Sequence, residues 1–209
     1  MNYRQHLPGS AARPRTSARD RIVARARAYF FAHGFRAVTM DDLAGELGMS
    51  KRTLYAHFRS KVALLEAVIA DKFDGLNAAL DRLDHRPEHF AAALRELLTC
   101  LYRETDEVQP PFVRDVRREA PELFKFIQAR RREVIQKHFG KMFAAGRRAG
   151  IIRADIPAAM MTEVLLAATD GIMNPPKMAE LGLTPKAGFS AILSVVLEGV
   201  ISEKGRKRM

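Results

Sequence analysis

The chain has 209 residues, of which 47% are hydrophobic, so it is long enough to bury a core without help from disulfides or metal ions. A single cysteine excludes an internal disulfide framework. We also find neither a metal-spaced set of cysteine and histidine nor a signal peptide, so we expect a cytoplasmic protein without a metal or cofactor. The net charge of +11 is concentrated at one end, because residues 1–62 carry +8 and the remainder carries +3.

The first predicted helix follows a segment without helical periodicity. Residues 1–16 contain prolines, a glycine and arginines but no apolar period, which predicts a flexible basic arm. From Ser17 onward, Ile22, Ala26 and Phe30 recur at a spacing of four residues, and Gly34 stands where a helix would end. The pattern predicts a helix over about 17–33.

Two short helices come next, and each begins with a residue that favours the N-cap position. Thr39 precedes an apolar period that stops at Gly48, and Ser50 opens the segment from Lys51 to His57. A turn of three or four residues containing glycine, placed between two short helices, is typical of a helix-turn-helix. We therefore predict this motif at about 39–58.

The rest of the chain also has helical periodicity, and no segment alternates as a strand would. The pattern predicts a helix over about 60–83, then further helices over about 88–105, a short piece after Pro110-Pro111, 121–149, 157–174 and 185–202. Proline or glycine marks each break, as at Gly150 and Pro175-Pro176. The sequence predicts an all-α protein of about nine helices.

We divide the chain into a basic arm (1–16), a DNA-binding unit (17–63) and a helical regulatory and dimerisation unit (64–209). The most apolar stretches of the last unit are interrupted by Glu163, Asp170 and Glu198. We therefore expect buried helices rather than membrane spans.

The second short helix has two chemically different faces. Leu54 and Phe58 fall on a face that suits a core, together with Leu43 and Leu47 of the helix before it. The opposite face carries donors suited to phosphates and base edges, namely Lys51, Arg52, Thr53, Tyr55 and His57. This face is predicted to meet DNA. In the alternative, Tyr55 and His57 pack against the first helix and the Lys-Arg pair is only a solvated surface.

The stretch TMDDLAGELGMSKRTLYAHF, preceded by Gly34-Phe35 and followed closely by Ser60-Lys61, resembles the DNA-binding signature of the TetR family of transcriptional regulators. The resemblance covers about residues 17–73. It implies an operator-binding protein, usually a repressor, that senses a ligand. It also implies phosphate contacts from Thr39, Tyr55, His57 and Lys61, and base contacts from Lys51, Arg52 and Thr53, with Arg52 the best candidate for a guanine. Arg13, Arg15 and Arg19 either enter a minor groove or belong to an arm that never orders.

Specific binding to double-stranded DNA by one short recognition helix needs a second copy about one DNA turn away, ~34 to 36 Å, so we expect a homodimer. The last two long helices are the predicted interface, because they are too apolar to be left in water. The resemblance implies that they form a four-helix bundle with their counterparts. The predicted contacts are Met161, Leu165, Ala168, Leu193, Val196 and Leu197, and the same apolar set includes Met160, Val164, Ile192 and Val200.

Large apolar residues between these helices and the DNA-binding end could line a ligand pocket. The candidates are Tyr102, Phe112, Phe124, Met142 and Phe143, and the partner would be a small apolar or amphipathic effector. The same residues could equally be plain core, because a helical stripe of large apolar side chains is core by default.

The sequence also bears on two other classes of protein. An enzyme is not expected, because the sequence has no glycine-rich phosphate loop, no nucleophile elbow and no metal-ligand spacing. The alternative is an architectural protein that binds DNA without regard to sequence, and basic runs such as Arg130 to Arg132 would support it. Only a regulator would show a large preference for an operator over random DNA.

Overall fold

The computed structural model describes residues 17–84, 86–108, 110–201 and 203–207, and this part of the chain is almost entirely helical. The predicted all-α fold is confirmed. Within the described residues, β pairing is limited to one isolated bridge between Ile152 and Ile201. The predicted basic arm lies outside the described residues. No helix in the described segments is both long and apolar enough to cross a bilayer.

Four helices form the N-terminal part of the chain: α1 (Ala18–His33), α2 (Met40–Glu46), α3 (Lys51–His57) and α4 (Lys61–Leu80). Each begins at a capped position, where Ser17, Thr39, Ser50 and Ser60 accept a hydrogen bond from a backbone N–H three residues later. These oxygens satisfy donors that a helix N-terminus leaves unpaired. The starts of these four helices can therefore be predicted from single residues in the sequence.

The remaining helices are α5 (Phe90–Asp106), α6 (Pro110–Glu119), α7 (Pro121–Arg148), α8 (Ala158–Ile172), α9 (Pro175–Glu180) and α10 (Pro185–Val200), followed by a helical turn at Glu203–Arg206. The sequence does not predict helix α9, because Pro175-Pro176 by itself indicates only a break between helices. Asn174 caps this helix by accepting from the Lys177 N–H, and proline is well tolerated in a first turn. The prolines therefore end one helix and open another.

The described side chains form two hydrophobic cores. The first contains residues of α1 to α4, and the second contains residues of α4, α5, α7, α8, α9 and α10. Helix α4 contributes to both cores. Leu64 and Leu65 lie in the first, whereas Leu76 and Leu80 lie in the second. It thus links the two ends of the protein.

Helix α6 packs with the N-terminal core, although it lies far along the sequence. Phe112 and Val116 are buried in the cluster that contains Phe31 of α1, and the Phe31 and Phe112 rings meet edge to face with centroids 5.0 Å apart. Edge-to-face packing of this kind is a favourable aromatic geometry. The first core is therefore built from two distant parts of the chain, one on each side of the predicted boundary between residues 63 and 64.

Candidate functional site

The two helices of the helix-turn-helix are held by capping and by a glycine turn. Thr39 and Asp42 cap α2 reciprocally, since the Thr39 Oγ1 accepts from the Asp42 N–H at 3.1 Å and the Thr39 N–H donates to Asp42 at 2.9 Å. The Thr39 hydroxyl also donates to the Asp42 carboxylate at 2.6 Å, and this bond, with the one from the Thr39 N–H, holds the pKa of Asp42 below its ordinary value. Between the helices, Gly48 has φ +62°, a left-handed conformation that favours glycine.

Helix α3 presents its polar residues on one exposed face. Leu54 is fully buried against the N-terminal core, which fixes the rotation of the helix about its axis. As a result Lys51, Arg52, Thr53, Tyr55 and His57 are all exposed. All five predicted α3 residues are therefore accessible to a partner.

The five exposed residues differ in how freely they can bind a partner. Lys51 pairs with the Asp41 carboxylate, and the Thr53 hydroxyl is 2.8 Å from the Ser50 hydroxyl. Arg52 makes no hydrogen bond or ion pair with the part of the chain that the structure describes. Its guanidinium is therefore available for a bidentate contact.

Lys61 differs from the expectation of an outward phosphate contact. Its ammonium donates to the carbonyl oxygens of Phe35 and Val38, both at 2.9 Å, and lies 4.3 Å from the centre of the Phe35 ring. Two of its three donors therefore join the start of α4 to the loop between α1 and α2.

Arg59, an exposed cation two residues before Lys61, was not among the predicted DNA-binding residues. Its position directly after α3 could have indicated a phosphate contact.

A cavity of about 170 Å³ lies between α4, α5, α6, α7 and α10. Of the five predicted pocket residues, Phe112 and Phe124 line it and the other three do not. Met142 and Phe143 are buried in the second core, and the hydroxyl of Tyr102 is 3.5 Å from the Ser190 hydroxyl. Helical periodicity marked all five as inward-facing. It did not distinguish the cavity wall from solid core.

Three charged residues also line the cavity: Lys72, Glu104 and Arg131. The Lys72 ammonium donates to the Glu104 carboxylate at 2.6 Å, to the Glu104 carbonyl at 2.9 Å and to the Glu107 carboxylate at 2.7 Å. All three of its donors are thus used inside the protein. These residues were not among the predicted pocket residues.

The same two carboxylates bind Arg27 of α1. Its guanidinium donates to Glu107 at 2.6 and 2.9 Å and to Glu104 at 3.0 Å. Burial alone would raise the pKa of Glu107, but hydrogen bonds from Arg27 and Lys72 outweigh it and hold that pKa below its ordinary value. We call Arg27, Lys72, Glu104 and Glu107 the ionic bridge. It joins the cavity wall to the helix that supports the helix-turn-helix.

The predicted dimer contacts require correction, because most of them are buried inside one chain. Met161, Leu165 and Leu193 are at most 2% exposed, and Val196 is also buried, while Ala168 and Leu197 are half-buried. Both helices carry apolar residues all round, so periodicity did not select the outer face. The exposed large apolar residues of α8 and α10 are Met160, Val164 and Val195.

Comparison with known proteins identifies the DNA-binding domain. The profile described as "Bacterial regulatory proteins, tetR family" matches residues 22–68, which contain α2, α3 and most of α1. The chain therefore carries a TetR-type DNA-binding domain at residues 22–68. The matched segment includes the exposed α3 face and its capping residues, which indicates a DNA-binding transcriptional regulator with a helix-turn-helix domain of this type.

Relatives extend the likeness beyond that domain. The regulator UidR of Escherichia coli is 27% identical over 88% of this chain and 93% of its own length. The activator FasR of Mycolicibacterium smegmatis is 38% identical over 30% of this chain, and the match spans only 29% of FasR. A solved TetR-family regulator from Marinobacter aquaeolei shares the fold, with a TM-score of 0.68 and 21% identity, over 92% of this chain and 95% of that one. These comparisons give no support for the architectural alternative.

Proposed function

We propose that this protein is a ligand-responsive homodimeric repressor of the TetR family that binds a palindromic operator. The observation that carries the proposal is the outer face of α3, where Arg52 is exposed and unpaired within the described chain. Arg52 reads a guanine, Lys51 and Thr53 approach neighbouring base edges, and Tyr55 and His57 contact phosphates. Thr39 adds a phosphate contact at the start of α2. Arg59 replaces Lys61 as the cation that binds phosphate beside α3.

Dimerisation follows from the small size of the recognition helix. Seven residues of α3 reach only a few base pairs, so a specific site needs two copies of the helix in successive major grooves. The exposed apolar residues Met160, Val164 and Val195 supply a self-complementary surface on α8 and α10. Exposed Ala167 and Gly171 continue this face of α8 and allow two helices to approach closely.

A ligand response is supported by the path from the cavity to α1. One route is the ionic bridge, in which Lys72 and Arg27 share the Glu104 and Glu107 carboxylates. The other is aromatic, because Phe112 lines the cavity and packs against Phe31 of α1. A molecule bound in the cavity would contact residues of both routes, Lys72 and Phe112. Movement of α1 and α4 would then change the spacing of the two recognition helices.

Induction requires a difference in affinity between two shapes of the dimer. A ligand that binds both shapes equally leaves operator binding unchanged, so the effector must prefer the shape whose recognition helices are mis-spaced. Repression is the usual mode of the family, whereas FasR is an activator. A reporter gene placed behind the operator separates the two modes by the sign of its response.

The deciding experiment is footprinting of DNA from the gene's own neighbourhood, in the presence of random competitor, with wild type and Arg52→Ala. We expect protection of a short palindrome by wild type. The variant should bind it about 10 to 100 times more weakly, because a bidentate arginine–guanine contact contributes ~1–3 kcal/mol of discrimination.

Arg82→Ala is the matched control, because Arg82 is an exposed arginine after α4, remote in sequence from α3. Its operator affinity should stay within about twofold of wild type. Equal losses in both variants would mean that general positive charge, and not α3, carries the binding. Salt-sensitive coating of every fragment without a defined footprint would contradict the proposed function.

A further inference from the structure

Arg131 is a cation in the cavity wall that the protein only partly satisfies. It lies on α7, and its side chain is 23% exposed. Its guanidinium donates to the Asp170 carboxylate at 3.1 Å and to the Met173 carbonyl at 3.5 Å. A guanidinium has five N–H donors, so these two contacts leave most of its capacity unused among the described residues.

The Asp170 carboxylate, which pairs with Arg131, also pairs with a second arginine. The second oxygen of Asp170 accepts from Arg132 at 3.1 Å, and this carboxylate is itself partly exposed to solvent. Burial lowers the pKa of Arg131, and the hydrogen bond that its guanidinium donates to Asp170 only partly offsets this effect. The guanidinium therefore lies in surroundings that disfavour its charge. A second anion on the cavity side would relieve this cost.

The other charges of the wall are already neutralised. Lys72 uses its three donors on Glu104 and Glu107, and Arg27 adds a second positive charge to the same two carboxylates. The ionic bridge is thus balanced, with two cations and two anions. Arg131 is the cavity-lining cation that retains unused donors.

The remaining wall of the cavity is apolar except for Thr105, whose hydroxyl donates to the Leu101 carbonyl at 2.8 Å. Residues such as Ile69, Leu76, Leu101 and Phe189 supply aliphatic and aromatic surface. The cavity, at about 170 Å³, is below the ~300–1000 Å³ typical of small-molecule sites, which favours a short and slender ligand.

We propose that the effector is a short amphipathic carboxylate, whose carboxylate forms a charge-assisted contact with Arg131 and whose apolar chain fills the cavity. The planar guanidinium matches the two oxygens of a carboxylate and has donors left to bind them. The chain end lies among side chains that include Phe112, which packs on α1. This inference rests on the proposed ligand-responsive function and specifies the chemistry of its ligand.

The test compares three probes that share one chain and differ in head group: octanoate, 1-octanol and octylamine. Binding to the full chain is measured by titration calorimetry at neutral pH. We expect octanoate to bind about tenfold more tightly than 1-octanol, and octylamine to bind most weakly. Equal affinities for octanoate and 1-octanol, or no binding of any probe, would overturn the proposal.

Arg131→Met should remove the preference for octanoate and leave the affinity for 1-octanol within about twofold. Retained 1-octanol binding shows that the cavity is intact, which separates loss of the head-group contact from misfolding. Arg132→Met is the matched control, because Arg132 contacts the same Asp170 but does not line the cavity. It should keep the preference.

Asp170→Asn provides a second variant that removes the competing carboxylate and keeps Arg131. We expect it to bind octanoate more tightly than wild type by a few fold, whereas weaker binding would contradict the role given to Arg131. Operator footprinting is independent of these titrations. If wild type protects the operator but binds octanoate no more tightly than 1-octanol, only this inference is overturned. If wild type protects no operator, the proposed function is overturned.

Discussion

At the scale of single residues, the turn of the helix-turn-helix depends on a backbone conformation that side chains disfavour. Gly48 has φ +62°, and no atom lies within 4 Å of a Cβ added there. The requirement for glycine is therefore conformational rather than steric. Gly45, in α2, has equally open surroundings but an ordinary helical conformation.

This pair gives a direct prediction for stability. Gly48→Ala should lower the free energy of unfolding by ~1–2 kcal/mol, because an L residue is strained in the left-handed region. Gly45→Ala should instead raise it by up to ~1 kcal/mol, because alanine costs less entropy in a helix. Urea unfolding followed by circular dichroism measures both. Stabilisation by both substitutions would contradict the importance of the turn.

The contacts of single residues also decide which of the predicted DNA-binding residues point into the protein instead. Arg52 is exposed and unpaired within the described chain, as a base-reading residue requires. The resemblance predicts Lys61 on the same surface, yet two carbonyl groups of the loop between α1 and α2 accept hydrogen bonds from its ammonium. Those carbonyls belong to Phe35 and Val38, more than twenty residues earlier. Their proximity follows from the packing of α1 on α4.

At the scale of helices, the ionic bridge is a polar contact between α1 and the cavity wall. Arg27 connects α1 to the end of α5, and Lys72 connects α4 to the same carboxylates. Lys72 is buried, so removal of one partner leaves charges that water only partly screens. The bridge should therefore contribute more to stability than an exposed ion pair does.

Substitution of Arg27 tests this contribution. Arg27→Gln should lower the free energy of unfolding by ~1–3 kcal/mol, because Glu104 and Glu107 lose a charged donor in a partly buried site. Arg25→Gln, on the same helix, removes an exposed pair with Glu46 and should cost less than ~1 kcal/mol. Chemical denaturation of both variants is the measurement. Equal losses would show that the bridge behaves as a surface ion pair.

The bridge also predicts a dependence of stability on pH. The pKa of Glu107 is held below its ordinary value of 4.5, so its stabilising contribution is present above about pH 4.5 and is lost as pH falls through the folded-state pKa. Wild type should therefore exceed Glu107→Gln in stability at neutral pH, and the difference should shrink in acid. Thermal melts across this range measure it.

Glu66→Gln serves as the control for that series. Glu66 is exposed on α4 and forms no ion pair with the described residues. The stability of this variant should follow wild type at every pH. A difference between wild type and Glu107→Gln that stays constant from neutral to acid would contradict the charged state assigned to Glu107.

At the scale of the whole molecule, the proposed dimer depends on which face of α8 and α10 remains uncovered. Val195 is 74% exposed and Met160 is 56% exposed, which is unusual for large apolar side chains. Their neighbours Met161 and Leu193 are buried among α5, α7, α8 and α10. The outer face is therefore an apolar surface that a second copy of the chain would cover.

Val195→Glu should weaken this association at least ~10-fold, because a charge on an apolar two-fold interface is desolvated and repels its symmetry mate. Sedimentation or light scattering should show monomer at concentrations where wild type is a dimer, and operator affinity should fall with it. Leu181→Glu is the control, because Leu181 is an exposed apolar residue after α9. A dimer in both variants would contradict the proposed interface.

The sequence by itself determined the helices other than α9, the capped starts of α1 to α4 and the helix-turn-helix, because these depend on residues within about one or two turns of one another. The cavity lining, the outer faces of α8 and α10, the inward direction of Lys61 and the ionic bridge were decided only by the tertiary structure. Helices that are apolar all round pack on whichever side the neighbouring helices cover, and Arg27 meets Glu107 across 80 residues. Such contacts depend on how helices are rotated and packed, which local spacing does not specify.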